Sequence, residues 1–276
     1  MGPLGVLGTL WLNAVAVILA LILIMLVRSP TSLCNADGPR PRYLATWYQR
    51  TRAGFTALYR IKPEWHLSLL AFIVNFALYP LFSVLLPVLI NRHYPKATWL
   101  LAVTEGAFAV GLLLGSLLLV KHANRRWGRP VVVFTGFLLL GACMSGCGLL
   151  TYFFDLQPGW FACLTLPLLF VAGTGLVMVT VNTSTVRMLA TPDHYRNRIG
   201  SATSFISGMV IPFGALVGGA FAETLGASTA MAVLGLLIVL AVTPCMLSGA
   251  LVRVLGMNDD RLRNAYNDLY PGAFAD

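Results

Sequence analysis

Charge is what this sequence has least of. Asp, Glu, Lys and Arg make up 11% of it, against about a quarter in a soluble domain. That is too little polar side chain to cover a water-facing surface. Acid is scarcer still, with 10 Asp and Glu against 19 Lys and Arg. The acids are scattered, and His66, His93, His122 and His194 stand singly at the ends of apolar runs. Intramembrane catalysis needs clustered acids, a His/acid metal set or a nucleophile beside a base, so no enzyme, metal site or cofactor is expected. Cys34, Cys143, Cys147, Cys163 and Cys245 include no C-x-x-C pair. Cys143 and Cys147 stand one helical turn apart with no His or acid beside them, and read as small packing residues. The polar/apolar alternation of a transmembrane strand is missing too.

What is present is apolar. Hydrophobic residues make up 58% of the chain and come in blocks of about 20 or more, the length with which one helix crosses a bilayer. The expected fold class is all-α, a polytopic transmembrane helical bundle, since only helices and closed barrels satisfy their backbone in lipid. Seven spans are expected, at about residues 4–27, 67–90, 98–120, 131–153, 160–186, 199–221 and 228–251. The chain divides accordingly into a first span (1–27), a basic linker (28–66), a six-helix core (67–252) and a tail (253–276). No charge precedes the first block and Arg28 follows it, so it reads as a true span with its N-terminus outside. Of the 19 Lys and Arg residues, all but Arg92 and Lys96 then fall on one side. That bias makes it the cytoplasmic side and puts the C-terminus there. The bases sit in short loops rather than as a patch on a folded domain, so nucleic acid is not an expected partner.

Within the linker, Asp37-Gly38-Pro39 and Pro41 break structure. From Tyr43 to Tyr59, Leu44, Trp47, Tyr48, Phe55 and Leu58 approximate a helical stripe. It reads either as a helix lying on the membrane surface or as a basic tether that only sets topology. Asn258 is placed to cap a short helix in the tail, with Asp259 and Asp260 in its first turn and Pro271-Gly272 as its stop.

The stretch from Thr98 to Pro130 organises the core. It holds one acid, Glu105, about seven residues into an apolar span, roughly 10 Å along the helix. An acid there either faces headgroups or faces water inside the bundle, where it can carry a proton. Next comes Gly111-x-x-x-Gly115, a spacing that admits another helix closely. The stretch ends in Arg125-Arg126-Trp127-Gly128-Arg129. The second span contains Pro80 and Pro87, predicting a kink, and carries Asn75, Tyr79 and Ser83 four apart on one face. The fifth contains Pro167 and aligns Thr174, Met178, Asn182 and Thr185. These polar faces either line a cavity or bond helix to helix.

The spans also repeat. The second to fourth resemble the fifth to seventh: each triplet opens with a proline-containing, polar-faced span. Each continues with a G-x-x-x-G span, Gly111/Gly115 or Gly214/Gly218, and then a glycine turn, Gly128 or Gly226. One turn is expected inside and the other outside, so the triplets read as inverted three-helix repeats, a device of many secondary transporters.

On these residues the chain resembles the major facilitator superfamily, specifically the C-terminal half of an exporter of the siderophore- or drug-efflux type. Gly54-Phe55-Thr56-Ala57-Leu58-Tyr59-Arg60 with Pro63 is similar to the family's central loop entering its seventh span. Arg125-Arg126-Trp127-Gly128-Arg129 is similar to its D-R-x-G-R loop motif. Pro192-Asp193-His194-Tyr195-Arg196-Asn197-Arg198-Ile199-Gly200-Ser201, with Pro212-Phe213-Gly214 and Gly218, is similar to its P-x-x-x-R-G-R-V-x-S…P-x-G-x-x-x-G pattern. Trp11-Leu12-Asn13-Ala14 looks like its sixth span. Arg125 stands where the motif has Asp, which leaves the partner of the loop's arginines open. Asn197 stands where the second pattern has Gly.

The resemblance implies a transporter of a small molecule that works by alternating access in the bacterial inner membrane. It implies a cavity lined by Asn75, Tyr79, Ser83, Thr174, Asn182 and Thr185, and a cytoplasmic gate at Arg125, Arg126, Arg129, Arg196 and Arg198. It also implies twelve spans, so the chain is expected to be a partial one whose partners are the lipid bilayer, the substrate and an N-terminal half. The alternative is a non-transporting membrane remnant, or a subunit that needs that half as a separate chain.

Overall fold

The computed structural model describes residues 5–26, 43–154 and 157–274. Cys34, the breaks at 37–41, Arg28, Arg40, Arg42 and the Asp155-Leu156 part of the turn after the fourth span lie outside them. By its internal contacts the chain forms two units, residues 1–43 and 44–276. The first contains α1, Gly5–Leu26, which has no charged residue at either end.

α2 spans Tyr43–Arg60, close to the stripe read from the sequence, and all of it but Tyr43 belongs to the second unit. Six segments follow that are long and apolar enough to cross a membrane: α3 Lys62–His93, α4 Trp99–Trp127, α5 Arg129–Phe153, α6 Pro158–Ala190, α7 Asp193–Thr224 and α8 Ala227–Leu247. Short helices α9 Gly249–Leu255, α10 Asp259–Leu262 and α11 Ala265–Leu269 make up the tail. No strand occurs among the described residues. Six apolar helices of this kind make the chain a multi-pass membrane protein.

Several helices outrun the spans expected of them. The inner loop read over 187–198 is helical except at Thr191-Pro192. At 33 and 32 residues, α6 and α7 are each roughly 48 Å long, well beyond a hydrocarbon core of about 30 Å. The turns of α6 before Ala190 and of α7 after Asp193 are thus extra length beyond what a bilayer core needs, and polar residues there do not stop a helix. Pro192 stops it, by lacking an N–H and restricting the residue before it. The seventh span is shorter than expected because Ser248 is extended (φ −67°, ψ 106°) and divides α8 from α9. After Pro80, α3 carries a π-helical turn over Leu81–Leu85, and α4 carries another over Gly115–Leu119. Among the described glycines, Gly128 (φ 79°) and Gly226 (φ 84°) alone have positive φ, and they make the α4–α5 and α7–α8 turns without the strain a Cβ would bring.

The packing has a pattern. α5 packs on α6 and on α8; α4 packs on α6; α3 packs on α7 and on α8. Exchanging α3, α4, α5 for α6, α7, α8 returns the same pairs. Glycines set the close approaches. A Cβ at Gly111 would lie 2.1 Å from the Phe170 carbonyl oxygen, and one at Gly214 would lie 2.7 Å from that of Phe76. One turn on, Gly115 faces Thr174 and Gly218 faces Pro80. At the centre Gly141 and Gly235 face each other, with a Cβ on either 2.7 or 2.6 Å from the other's carbonyl oxygen. In lipid, where burial alone does not drive helices together, such close contact and interhelical hydrogen bonds do so.

Candidate functional site

The polar residues of α3 and α6 divide into two groups. Asn75 donates from Nδ2 to the Ser207 carbonyl oxygen on α7 (2.8 Å). Nearer the start of both helices, the Ser68 and Thr203 hydroxyls meet at 3.2 Å. Thr174 is buried and donates to the carbonyl oxygens of Gly111 on α4 (3.2 Å) and Phe170 (3.1 Å). Asn182, also buried, accepts from Asn124 Nδ2 on α4 (2.7 Å) and donates to the Met178 carbonyl oxygen. These three bond helix to helix, each contact contributing on the order of 0.6 kcal/mol in a bilayer. Tyr79 and Ser83 form the second group. Both are exposed, and Ser83 donates only to the Tyr79 carbonyl oxygen within its own helix. Thr185, half-buried, likewise bonds back to Val181.

Glu105 is exposed on α4, on a stretch whose neighbours Val103 and Val110 are exposed as well. No ion pair to it occurs among the described residues. An unpaired carboxylate in hydrocarbon costs several kcal/mol, so this side of α4 belongs against water or another polar surface.

The arginines gather with the tail at one end. Arg129 pairs with Asp259 of α10 and also donates to the Met257 carbonyl oxygen (3.3 Å). Asp259 is thus the acid that Arg129 meets. Arg125 and Arg126 are exposed. Arg196 pairs with Asp193 at 2.6 Å, and the Arg198 guanidinium lies 4.7 Å from the Tyr195 ring centre. Three buried polar atoms here have no partner among the described residues, namely Asn124 Oδ1, Thr191 Oγ1 and Arg196 Nε.

The sequence reading missed a buried charge at this end. Glu64, in the first turn of α3, is fully buried and pairs with Arg187 of α6; its second oxygen accepts from the Tyr266 hydroxyl of α11 (3.2 Å). Two signals pointed to it. Glu64 is one of two acids in the first turn of a span, with Asp193, and Leu262, Ala265 and Tyr266 have the i, i+3, i+4 spacing of a buried face. Further ties hold the tail down. Asn264 N–H donates to the Leu189 carbonyl oxygen (2.9 Å), Arg60 to that of Gly272 (2.7 Å), and Phe274 meets Tyr195 ring to ring at 5.1 Å.

Burial, then the Glu64 carboxylate and the bond to it, hold the Tyr266 hydroxyl well above its ordinary 10.0, with Arg187 opposing. The hydroxyl therefore stays protonated and remains a donor. Since the folded pKa is raised, its contribution is complete below pH 10 and is lost as pH climbs beyond, where the unfolded chain ionises first. Unfolding midpoints measured from about pH 8 to about pH 11 should fall above 10, and Tyr266→Phe should flatten that fall.

The family model described as Major Facilitator Superfamily matches residues 2–215 of the chain. No curated protein and no solved structure matches it.

Proposed function

We propose that this chain, which belongs to the Major Facilitator Superfamily and is a membrane transporter, exports a small molecule of the siderophore or drug class from the bacterial cytoplasm by alternating access. The observation that carries the reading is the family match over most of the chain, together with six membrane-crossing helices. In the proposed arrangement α1 is a seventh span with its N-terminus outside, and the C-terminus is cytoplasmic. α3–α5 and α6–α8 are inverted repeats, which the exchange of helix pairs supports.

A cavity needs two walls, and a further N-terminal half supplies the second, in this chain or another. Tyr79, Ser83 and Thr185 face the substrate, while Asn75, Thr174 and Asn182 hold the helices that present them. Arg129, with its partner Asp259, closes the cytoplasmic gate beside the exposed Arg125 and Arg126. Glu105 couples export to protons, because an exposed acid in an apolar stretch needs a wet gap to face.

The test is transport into everted membrane vesicles holding this chain with its N-terminal half. An imposed proton gradient should drive accumulation of a fluorescent drug, and Glu105→Gln should reduce it to background. Undiminished accumulation by Glu105→Gln removes the coupling role. Absence of gradient-driven accumulation for any drug or siderophore tried removes the export reading.

A further inference from the structure

The buried face of α4 changes step near its end. Leu100, Thr104, Phe108, Gly111 and Gly115 are buried at intervals of three or four, as one face of an α-helix requires. The next buried residues are Val120 and Ala123, so the interval from Gly115 is five. The surplus residue is taken up by the π-helical turn over Gly115–Leu119, whose bonds run from i to i+5. That turn opens on a Gly-Ser pair, and both features mark places where helices kink. Beyond it α4 ends in an arm of eight residues, Val120–Trp127, roughly 12 Å long. Gly128, at φ 79°, joins the far end of the arm to α5, and glycine turns freely there.

The arm is held lightly. Val120 and Ala123 pack with Val132, Val177 and Met178 in a small cluster apart from the main core. Among the described residues the arm makes one side-chain hydrogen bond, from Asn124 to Asn182, and no ion pair. The tail is tied to α3, α5, α6 and α7, but among the described residues no such tie reaches α4. A gap of about 350 Å3 lies there instead, lined by Asn124 and Arg125 of the arm and by Gly256, Asn258 and Asp259 of the tail. The arm carries Lys121, Arg125 and Arg126 and no acid, whereas α10 opens with Asp259 and Asp260. We infer that the arm is a hinged lid, which tilts as a unit between the π turn and Gly128 and closes the gap by bringing Arg125 to Asp259 and Asp260. Arg129, paired with Asp259, stays with α5 and the tail. The loop's arginines thus divide into a moving pair, Arg125 and Arg126, and a fixed one. The lid goes beyond the export reading and does not depend on it.

Paired spin labels on the full chain in detergent micelles test this, carried on non-natural amino acids so that the native cysteines stay in place. One pair joins Trp127 at the end of the arm to Arg261 on the tail. The control pair joins Val131 on α5 to Arg261, and all three positions are exposed. A change of about 20° at a π turn moves the end of a 12 Å arm by about 4 Å. Distances from Trp127 should therefore spread about 4 Å more widely than those of the control. Deleting the exposed Leu118 restores the interval of four and should narrow the spread to the control's, while Leu118→Ala should leave it broad. Asn182→Ala, which removes the arm's bond to α6, should broaden it further, and this keeps the test open if the deletion does not fold. Arg125→Gln should lengthen the mean distance, since the lid then has less to close on. The inference is overturned if the wild-type spread equals the control's, if the deletion leaves it broad, or if Leu118→Ala narrows it as much. It is overturned equally if Asn182→Ala and Arg125→Gln change nothing.

Discussion

Arg187→Gln is expected to lower stability by about 3–5 kcal/mol, the range for removing one partner of a buried ion pair. The cost comes from what stays behind. Glu64 is fully buried and keeps only the Tyr266 hydroxyl, whereas the Arg187 side chain is 21% exposed and can still reach water. Glu64→Gln should therefore cost less than Arg187→Gln, because the group it strands is the one already partly solvated. The double variant should recover part of the loss, since neither charge remains to be desolvated. Unfolding midpoints in detergent micelles measure all three. Equal losses for the two single variants, with a double variant equal to their sum, would show that the pair does not act as a unit.

Gly111→Ala should be the most damaging of the small glycine substitutions, and Gly106→Ala on the same helix should be mildly stabilising. At Gly111 the new methyl meets backbone, the Phe170 carbonyl oxygen at 2.1 Å, so α4 and α6 must separate; at Gly106 nothing lies within 4 Å. Overpacking of this kind costs about 1–3 kcal/mol or more, against a helix-propensity gain of about 1 kcal/mol for replacing glycine. The clash wins at Gly111 and the propensity gain stands alone at Gly106. Gly214→Ala, whose methyl would stand 2.7 Å from the Phe76 carbonyl oxygen, should fall between them. If Gly106→Ala and Gly111→Ala shift the midpoint alike, close approach at the glycine pairs is not what holds α4 to α6.

These two cases mark what could and could not be read in the sequence. Gly111-x-x-x-Gly115 and Gly214-x-x-x-Gly218 announce close helix contact because the signal is local: small residues one turn apart on one face. The helix partner was not legible, since nothing near Gly111 names Phe170. Glu64 shows the limit plainly. Its partners Arg187 and Tyr266 stand 123 and 202 residues away, and an acid beside a membrane looks solvated until the tail is seen to cover it. The polar faces were ambiguous for a similar reason. A helical wheel places Asn75, Tyr79 and Ser83 together, but only the position of α7 shows that Asn75 is spent on the Ser207 carbonyl while the other two are exposed. Arg129, whose own loop offers no acid in sequence, meets one in Asp259, 130 residues on.

The tail touches α3 through Tyr266, α5 through Asp259, α6 through Asn264 and α7 through Phe274. Four rods strapped at one end cannot slide past one another there, so they travel as a single plate. Whatever bending α3 undergoes is pushed outward, to the loosened coil after Pro80, about 28 Å from the strap. The strap thus makes one end of the bundle the handle and leaves the other to flex.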